Sequence, residues 1–246
     1  MRVLGFLFTL LVGVGIGGWL YLNGKLPAVA IPGISKSGPV VAGNNVFKSN
    51  VVAEFLAPKK ATDTYRDIKL VQPFGYIDPR GVHWDVPIGY VTNGASIPTS
   101  LWAVVGGPFD GPYRDAAVLH DFYCESKTRT SDDTHRMYYE AALARGTSEN
   151  IASTMYAGLV FGGPVWKIAP KKAGFDMMFA QAGTTTQTNK AGATVTVDPG
   201  LTNKSATPEQ LKAVEDMKAW ILKEKPTPAQ IQARAEELRK STGVSK

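Results

Sequence analysis

Residues 112–145, PYRDAAVLHDFYCESKTRTSDDTHRMYYEAALAR, decide the fold class of this chain. Apolar residues recur in this stretch at the three- and four-residue spacing of amphipathic helices, which predicts helices over 112–126 and 132–145. Gly146 follows the second helix as a C-terminal cap, and a third helix is predicted over 148–161. The centre of the chain is therefore expected to be a set of packed helices.

Short β-branched and aromatic runs lie upstream of these helices and predict strands. The runs are 68–71, 84–87 and 90–92, separated by Gly- and Pro-bearing turns at 73–75 and 78–81. Because strands come first and helices follow, the sequence predicts an α+β domain over residues 51–180, with a small antiparallel β element before the packed helices.

The C-terminal residues 207–246 are predicted to form a helical hairpin. Two Thr-Pro pairs, at 207–208 and 227–228, are each followed by a Gln three residues after the Thr, which is the spacing of a capping box. We expect this hairpin to dock on the domain or on a protein partner, or to lie on a membrane surface. The Thr-, Gly- and Ala-rich residues 181–206 are predicted to be a linker, with one strand at 193–197.

The N-terminus carries the strongest physical signal in the chain. Residues 3–22 are twenty consecutive uncharged and mostly apolar residues, long enough to span a bilayer as a helix. The sequence predicts a transmembrane anchor over 1–23 and an extended, Pro-bearing tether over 24–50. The alternative is a signal peptide cleaved after Ala28-Val29-Ala30. Either segment places the protein in a bacterial cell envelope; an anchor implies the inner membrane, with the domain expected on the periplasmic side.

Composition limits the partners of the chain. Of 246 residues 27 are basic and 21 acidic, giving a net charge of +6 that is spread along the sequence. This balance suits an anionic surface such as phospholipid, and no nucleic-acid partner is expected. No phosphate-binding Gly-rich loop is present outside the apolar N-terminal run. The lone cysteine, Cys124, cannot form an intramolecular disulfide.

Few residues could carry chemistry, and the central helices hold most of them. His120 and Asp121 are adjacent on a predicted helix and point about 100° apart, so His120 could face a cleft as a base while Asp121 meets a cation. On the next helix Asp132, Asp133 or His135 could accept the second imidazole N–H and fix the tautomer of His120. The structural alternative is that His120 is a buried polar residue and Asp121 caps a nearby turn.

A predicted corner upstream supplies candidate substrate-binding residues. Residues 93–98 read NGASIP, where Asn-Gly requires a turn with positive φ and the residue before Pro is extended. This corner is expected to bring Asn93 and Ser96 to the mouth of a cleft, with Trp102 in its wall. A second hypothesis is a transition-metal site. Its candidate ligands are His83, Asp85, His120, Cys124 and His135.

The motifs resemble those of a bacterial and bacteriophage family of uncharacterised function. The resemblance rests on PxGYxTNGASIP at 87–98, Trp102, AAxxHD at 116–121 and HRxYYEA at 135–141, and it covers about residues 60–165. It implies the domain boundaries, the cleft and a possible phage origin, and it brings no established activity.

A looser resemblance is to the prokaryotic phospholipase A2 family, whose catalytic helix carries a His-Asp pair. It implies that His120 is the base, that Asp121 binds calcium and that Asp132 or Asp133 orients the imidazole. Two function classes follow. The first is a membrane-anchored hydrolase of the cell envelope acting on membrane lipid; the second is a non-catalytic envelope or phage virion protein that binds a partner.

Overall fold

A computed structural model describes residues 45–58, 67–95, 109–169, 184–201 and 206–244. In these ranges the chain forms nine short strands and five helices, all within one compact unit, residues 39–246. None of the helices in these ranges is long and apolar enough to cross a membrane. The predicted anchor, residues 1–23, and most of the predicted tether lie outside the described residues.

The first six strands build two small antiparallel sheets. Strands β1 (Val46–Phe47), β4 (Phe74–Ile77) and β5 (His83–Val86) form one sheet in the order β1-β4-β5. Strands β2 (Ala53–Phe55), β3 (Ile68–Leu70) and β6 (Val91–Thr92) form the other in the order β2-β3-β6. The predicted antiparallel β element before the helices is therefore confirmed, and β1 lies within the residues predicted as tether.

The turn predicted at residues 73–75 is wrong, because β4 already begins at Phe74. Gly75 lies inside this strand opposite Asp85, and the side chains of Lys48 and Asp85 form an ion pair over it at 2.6 Å. A Cβ on residue 75 would stand 2.4 Å from Asp85 Oδ1. The glycine that suggested a turn instead leaves room for this ion pair.

Three central helices follow the sheets, as predicted. They are α1 (Arg114–Ser126), α2 (Ser131–Ala144) and α3 (Glu149–Gly162). Thr130 caps α2 by accepting a hydrogen bond from the N–H of Asp133, and Gly146 adopts a φ of +89° just after the helix. The buried faces of these helices pack against Trp84, Phe74 and Leu70 of the sheets in one hydrophobic core.

A third antiparallel sheet lies partly in the predicted linker. Strands β7 (Val165–Ile168), β8 (Thr185–Thr188) and β9 (Thr194–Asp198) pair in the order β7-β9-β8. The strand predicted at 193–197 is confirmed as β9, whose Val195 and Val197 are buried beside Trp166. The Thr-rich β8 is fully exposed, so its sequence lacks the apolar alternation that predicts strands.

The C-terminal helical hairpin is confirmed, and its caps form as predicted. Helices α4 (Pro208–Glu224) and α5 (Pro228–Ser241) each begin with a complete capping box, made by Thr207 and Gln210 or by Thr227 and Gln230. Their buried side chains belong to the same core as those of the central helices. These core residues are Ala213, Met217, Ile221, Ile231 and Ala235.

Thr227→Ala is expected to lower the free energy of unfolding by about 1 kcal/mol, because it removes the side-chain acceptor for the N–H of Gln230. Thr227→Ser keeps that acceptor and serves as the matched control. Urea denaturation of both variants measures the difference. An equal effect of the two substitutions would show that the cap does not stabilise α5.

Candidate functional site

Two buried histidines form the centre of the candidate site. His120 on α1 and His135 on α2 are only 8% and 1% exposed, and His120 Nε2 lies 2.9 Å from His135 Nδ1. His135 Nε2 lies 3.0 Å from the carbonyl oxygen of Pro164. Because a carbonyl only accepts, His135 carries its proton on Nε2, and His120 Nε2–H donates to His135 Nδ1. The packing therefore fixes one tautomer for each neutral ring.

Burial keeps both rings neutral. It lowers the pKa of His135 to about 4 and the pKa of His120 well below its usual value, where the neighbouring His135 adds to the effect. The ring of Tyr138 meets His120 edge to face, with 5.4 Å between ring centroids. Both imidazole rings are thus largely removed from water, which disfavours their charged form.

Cys124, one helical turn after His120, contacts the imidazole without a directed bond. Its sulfur lies 3.6 Å from both ring nitrogens of His120. A sulfur in line with one lone pair would be nearer to one nitrogen than to the other, so Cys124 lies over the ring. Burial raises the pKa of its thiol, and Asp121 raises it further. Cys124 is therefore a packed thiol rather than a thiolate nucleophile.

Among the acids of the site, Asp121 has the pKa that is shifted furthest from its usual value. Its carboxylate accepts a hydrogen bond from the hydroxyl of Thr92 on β6, and the Thr92 oxygen accepts one from the N–H of Gly94 at 3.0 Å. Burial raises the pKa of Asp121 to about 7; the Thr92 bond opposes this rise, and Glu125 adds to it. Among the described residues no Lys or Arg forms an ion pair with Asp121, so its negative charge is uncompensated there.

The bond from Thr92 to Asp121 joins the two sequence motifs. Gly94 has a φ of +79°, as predicted for the corner, and a Cβ on it would lie 2.5 Å from the Phe109 ring. Asn93 is exposed beside this contact, whereas Ser96 and Trp102 lie outside the described residues. Thr92 was not among the predicted site residues. Strand alternation was the available signal, since Val91 faces outward and Thr92 inward.

The acids of α2 do not meet His120. Asp132 is exposed in the first turn of the helix. Asp133 accepts a hydrogen bond from Arg80 Nη1 at 2.9 Å and one from the Thr130 hydroxyl at 2.8 Å. Although burial opposes it, these bonds lower the pKa of Asp133. Of the three predicted partners of His120, the structure brings only His135 to it.

The described residues hold no cluster of acidic side chains at the place where the phospholipase resemblance implies calcium. Calcium takes six to eight oxygen ligands, and in the described ranges no group of three or more His, Cys, Asp and Glu residues is arranged to hold a metal. Of the proposed transition-metal ligands, His120, Cys124 and His135 lie together, but the other two do not join them. His83 and Asp85 are on the exposed face of β5, and Asp85 pairs with Lys48.

His120→Ala is expected to lower the free energy of unfolding by about 2–3 kcal/mol, because it opens a cavity and removes the donor to His135 Nδ1. Thermal or urea unfolding at neutral pH measures the loss. His83→Ala, on an exposed strand face, is the control and should change stability little. If both variants match the parent, the buried pair contributes nothing to stability.

Comparison with known proteins finds similarity in the central part of the chain. Residues 68–159 match a family described as "Protein of unknown function (DUF1353)". The chain is 43% identical over 103 residues to the uncharacterized protein y4jT and 41% identical over 93 residues to the uncharacterized protein y4iH, both of Sinorhizobium fredii (strain NBRC 101917 / NGR234).

The similarity is confined to part of each protein. The matches cover 42% and 38% of this chain but only 31% and 39% of the relatives, so the chain spans well under half of their lengths. No solved structure matches the chain. The resemblance to an uncharacterised family is confirmed for residues 68–159, which match the DUF1353 family, and both relatives are uncharacterised bacterial proteins.

Proposed function

We propose that the domain is a cell-envelope hydrolase in which the Asp121 carboxyl group transfers the proton. The observation that carries the proposal is that this carboxyl is half-buried and accepts a hydrogen bond from the Thr92 hydroxyl, and that its pKa is raised to about 7. Catalytic acids and bases have pKa values near the working pH, and enzymes reach them by burial. A carboxylate that has no cation partner among the described residues lowers stability, which favours a functional reason for its presence.

The chemistry is that of a general base. The Asp121 carboxylate removes a proton from water while the water oxygen attacks an ester carbonyl, and the proton then passes to the leaving alcohol oxygen. The Thr92 hydroxyl donates to one carboxylate oxygen and leaves the other for water. His120 becomes a positioning residue, because its Nε2 proton is directed to His135 and the ring holds α1 against α2.

The expected substrate is the ester of a membrane lipid. The apolar residues 3–22 and the net charge of +6 favour work at an anionic membrane, and the resemblance to phospholipase A2 suggests an acyl ester. The proposal departs from that resemblance by giving the base role to Asp121. It assigns no step to calcium.

The test is fatty-acid release from mixed phospholipid vesicles by the full chain, with calcium or with a chelator. Asp121→Asn is expected to lower the rate by about 10²–10⁴-fold. Asp216→Asn, on an exposed helical carboxylate paired with Lys212, is the matched control and should match the parent. Release that is equal in Asp121→Asn and the parent would contradict the proposal. Release that requires calcium would instead support the phospholipase-type site.

One observation favours the non-catalytic alternative, an envelope or phage virion protein that binds a partner. His120 donates to His135, and His135 donates to the carbonyl oxygen of Pro164, so the buried ring nitrogens have hydrogen-bond partners. A purely structural polar core requires the same pairing of buried polar groups. Under this alternative the folded parent releases no fatty acid. Capture of one defined envelope protein, lost when α4 and α5 are altered, would then support it.

A further inference from the structure

The sheet of β2, β3 and β6 carries a row of three side chains that begins beside the Asp121 carboxyl and ends at the surface. Phe55 pairs with Ile68, and Ile68 pairs with Thr92, so the three side chains lie on the same face of the sheet. Ile68 and Thr92 are each 5% exposed, whereas Phe55 is 70% exposed. Two strand spacings place Phe55 roughly 10 Å from Thr92 along the sheet. The row therefore runs from a buried polar end to an exposed aromatic end.

A second phenyl ring connects the exposed end of this row to the same hydrogen bonds. Phe109 meets Phe55 edge to face, with 6.4 Å between ring centroids. Phe109 also packs against Gly94, whose N–H donates to the hydroxyl oxygen of Thr92. A side chain at residue 94 would collide with the Phe109 ring, so the glycine allows this ring to lie against the corner. The two phenyl rings are thus continuous with the hydrogen bond that holds Asp121.

We propose that Phe55 and Phe109 bind the acyl chain of the ester substrate, an assignment that rests on the hydrolase function proposed above. An ester carbonyl held at Asp121 allows its acyl chain to extend past the corner toward the two rings. The chain then removes exposed apolar surface from water, which is the main source of affinity for an alkyl group. Asp67 precedes β3 and Asp110 follows Phe109, and neither acid opposes this ligand because the acyl chain of an ester carries no charge.

The test is ester hydrolysis by the full chain reconstituted in vesicles of ether-linked phosphatidylcholine, a lipid that holds no ester. The substrates are para-nitrophenyl acetate and para-nitrophenyl octanoate, which differ only in the length of the acyl chain. Phe55→Ala is expected to lower the ratio of kcat/KM for the octanoate to kcat/KM for the acetate about ten-fold, because the variant loses the apolar surface of one phenyl ring. Ile88→Ala removes another exposed apolar side chain, from the turn between β5 and β6, and should leave this ratio as in the parent.

Photolabelling separates this assignment from the hydrolase function itself. A long-chain alcohol that carries a diazirine is expected to label Phe55 or Phe109 in the parent and in Asp121→Asn alike, and excess decanol should prevent the labelling. If this labelling occurs while neither ester is hydrolysed, the hydrolase proposal fails and the acyl-chain site stands. The assignment is overturned by an unchanged ratio in Phe55→Ala, by labelling of neither ring, by labelling that decanol does not prevent, or by a ratio that varies with protein concentration, as pairing of two copies would give.

Discussion

Arg239→Ala is expected to lower the free energy of unfolding by about 3–5 kcal/mol, the largest stability loss that we predict for a single substitution. Arg239 on α5 is 4% exposed. Its Nη1 donates to the carbonyl oxygens of Phe161 at 2.7 Å and Gly163 at 3.0 Å, and its Nη2 donates to Asp198 at 3.1 Å. The truncation removes this donor from buried carbonyls at the end of α3 and leaves a cavity.

The comparison with Arg234 isolates the effect of burial. Arg234 lies on the same helix, but its guanidinium stacks on the half-buried Trp220 at 4.5 Å. Arg234→Ala is expected to cost about 1 kcal/mol or less. Urea denaturation followed by circular dichroism measures both variants. Equal losses of unfolding free energy in the two variants would contradict the inference that the buried hydrogen bonds of Arg239 stabilise the contact between the C-terminal hairpin and the central helices.

The bonds of Arg239 also bear on how the chain unfolds. They connect α5 to the end of α3 and, through Asp198, to β9. Met217 and Ile231 of the hairpin are buried in the core that the central helices share. We therefore expect the hairpin and the central helices to unfold in one transition, in the parent and in Arg239→Ala alike.

Local signals explain why the helices were predictable. Apolar periodicity placed the three central helices within two residues of their observed ends. The N-terminal caps Thr130, Thr207 and Thr227 use their own side chains to bind backbone N–H groups three residues on, so the relevant contacts are near in sequence. The positive φ of Gly94 was likewise predictable, because it follows from the Asn-Gly pair alone.

Long-range pairings explain what the sequence did not predict. Strand β1 exists because Val46 and Phe47 pair with β4 some thirty residues later, and two residues carry no periodicity of their own. The site shows the same limit. Asp133 was expected near His120, but Arg80 from the sheet binds it, and Asp121 was expected to meet a cation but meets Thr92. Such partners are set by how the elements pack.

Asp121→Asn is expected to stabilise the protein above neutral pH. Burial raises the pKa of Asp121 from 3.8 to about 7, so between these values the folded protein holds a proton that the unfolded chain releases. The contribution of Asp121 to the free energy of unfolding therefore falls as pH rises from about 4 to 7. A shift of roughly three units corresponds to about 4 kcal/mol. Asn, which carries no charge, avoids this loss and can still accept the Thr92 bond.

The buried histidines act in the opposite direction. His135 has its pKa lowered from 6.5 to about 4, so its contribution to stability is lost as pH falls through that range. His120 adds to this acid sensitivity. Both histidines remain in Asp121→Asn, so the difference in unfolding free energy between variant and parent isolates the carboxyl group.

Denaturation of both proteins from pH 4 to pH 8 measures that difference. We expect it to be near zero at pH 4 and to rise to as much as about 4 kcal/mol in favour of Asp121→Asn at pH 8. Asp216→Asn is the control, because its exposed carboxylate should give a small difference with little dependence on pH. A difference between Asp121→Asn and the parent that stays constant across the range would mean that Asp121 titrates as an ordinary carboxyl group, and the proposed hydrolase would then lose its base.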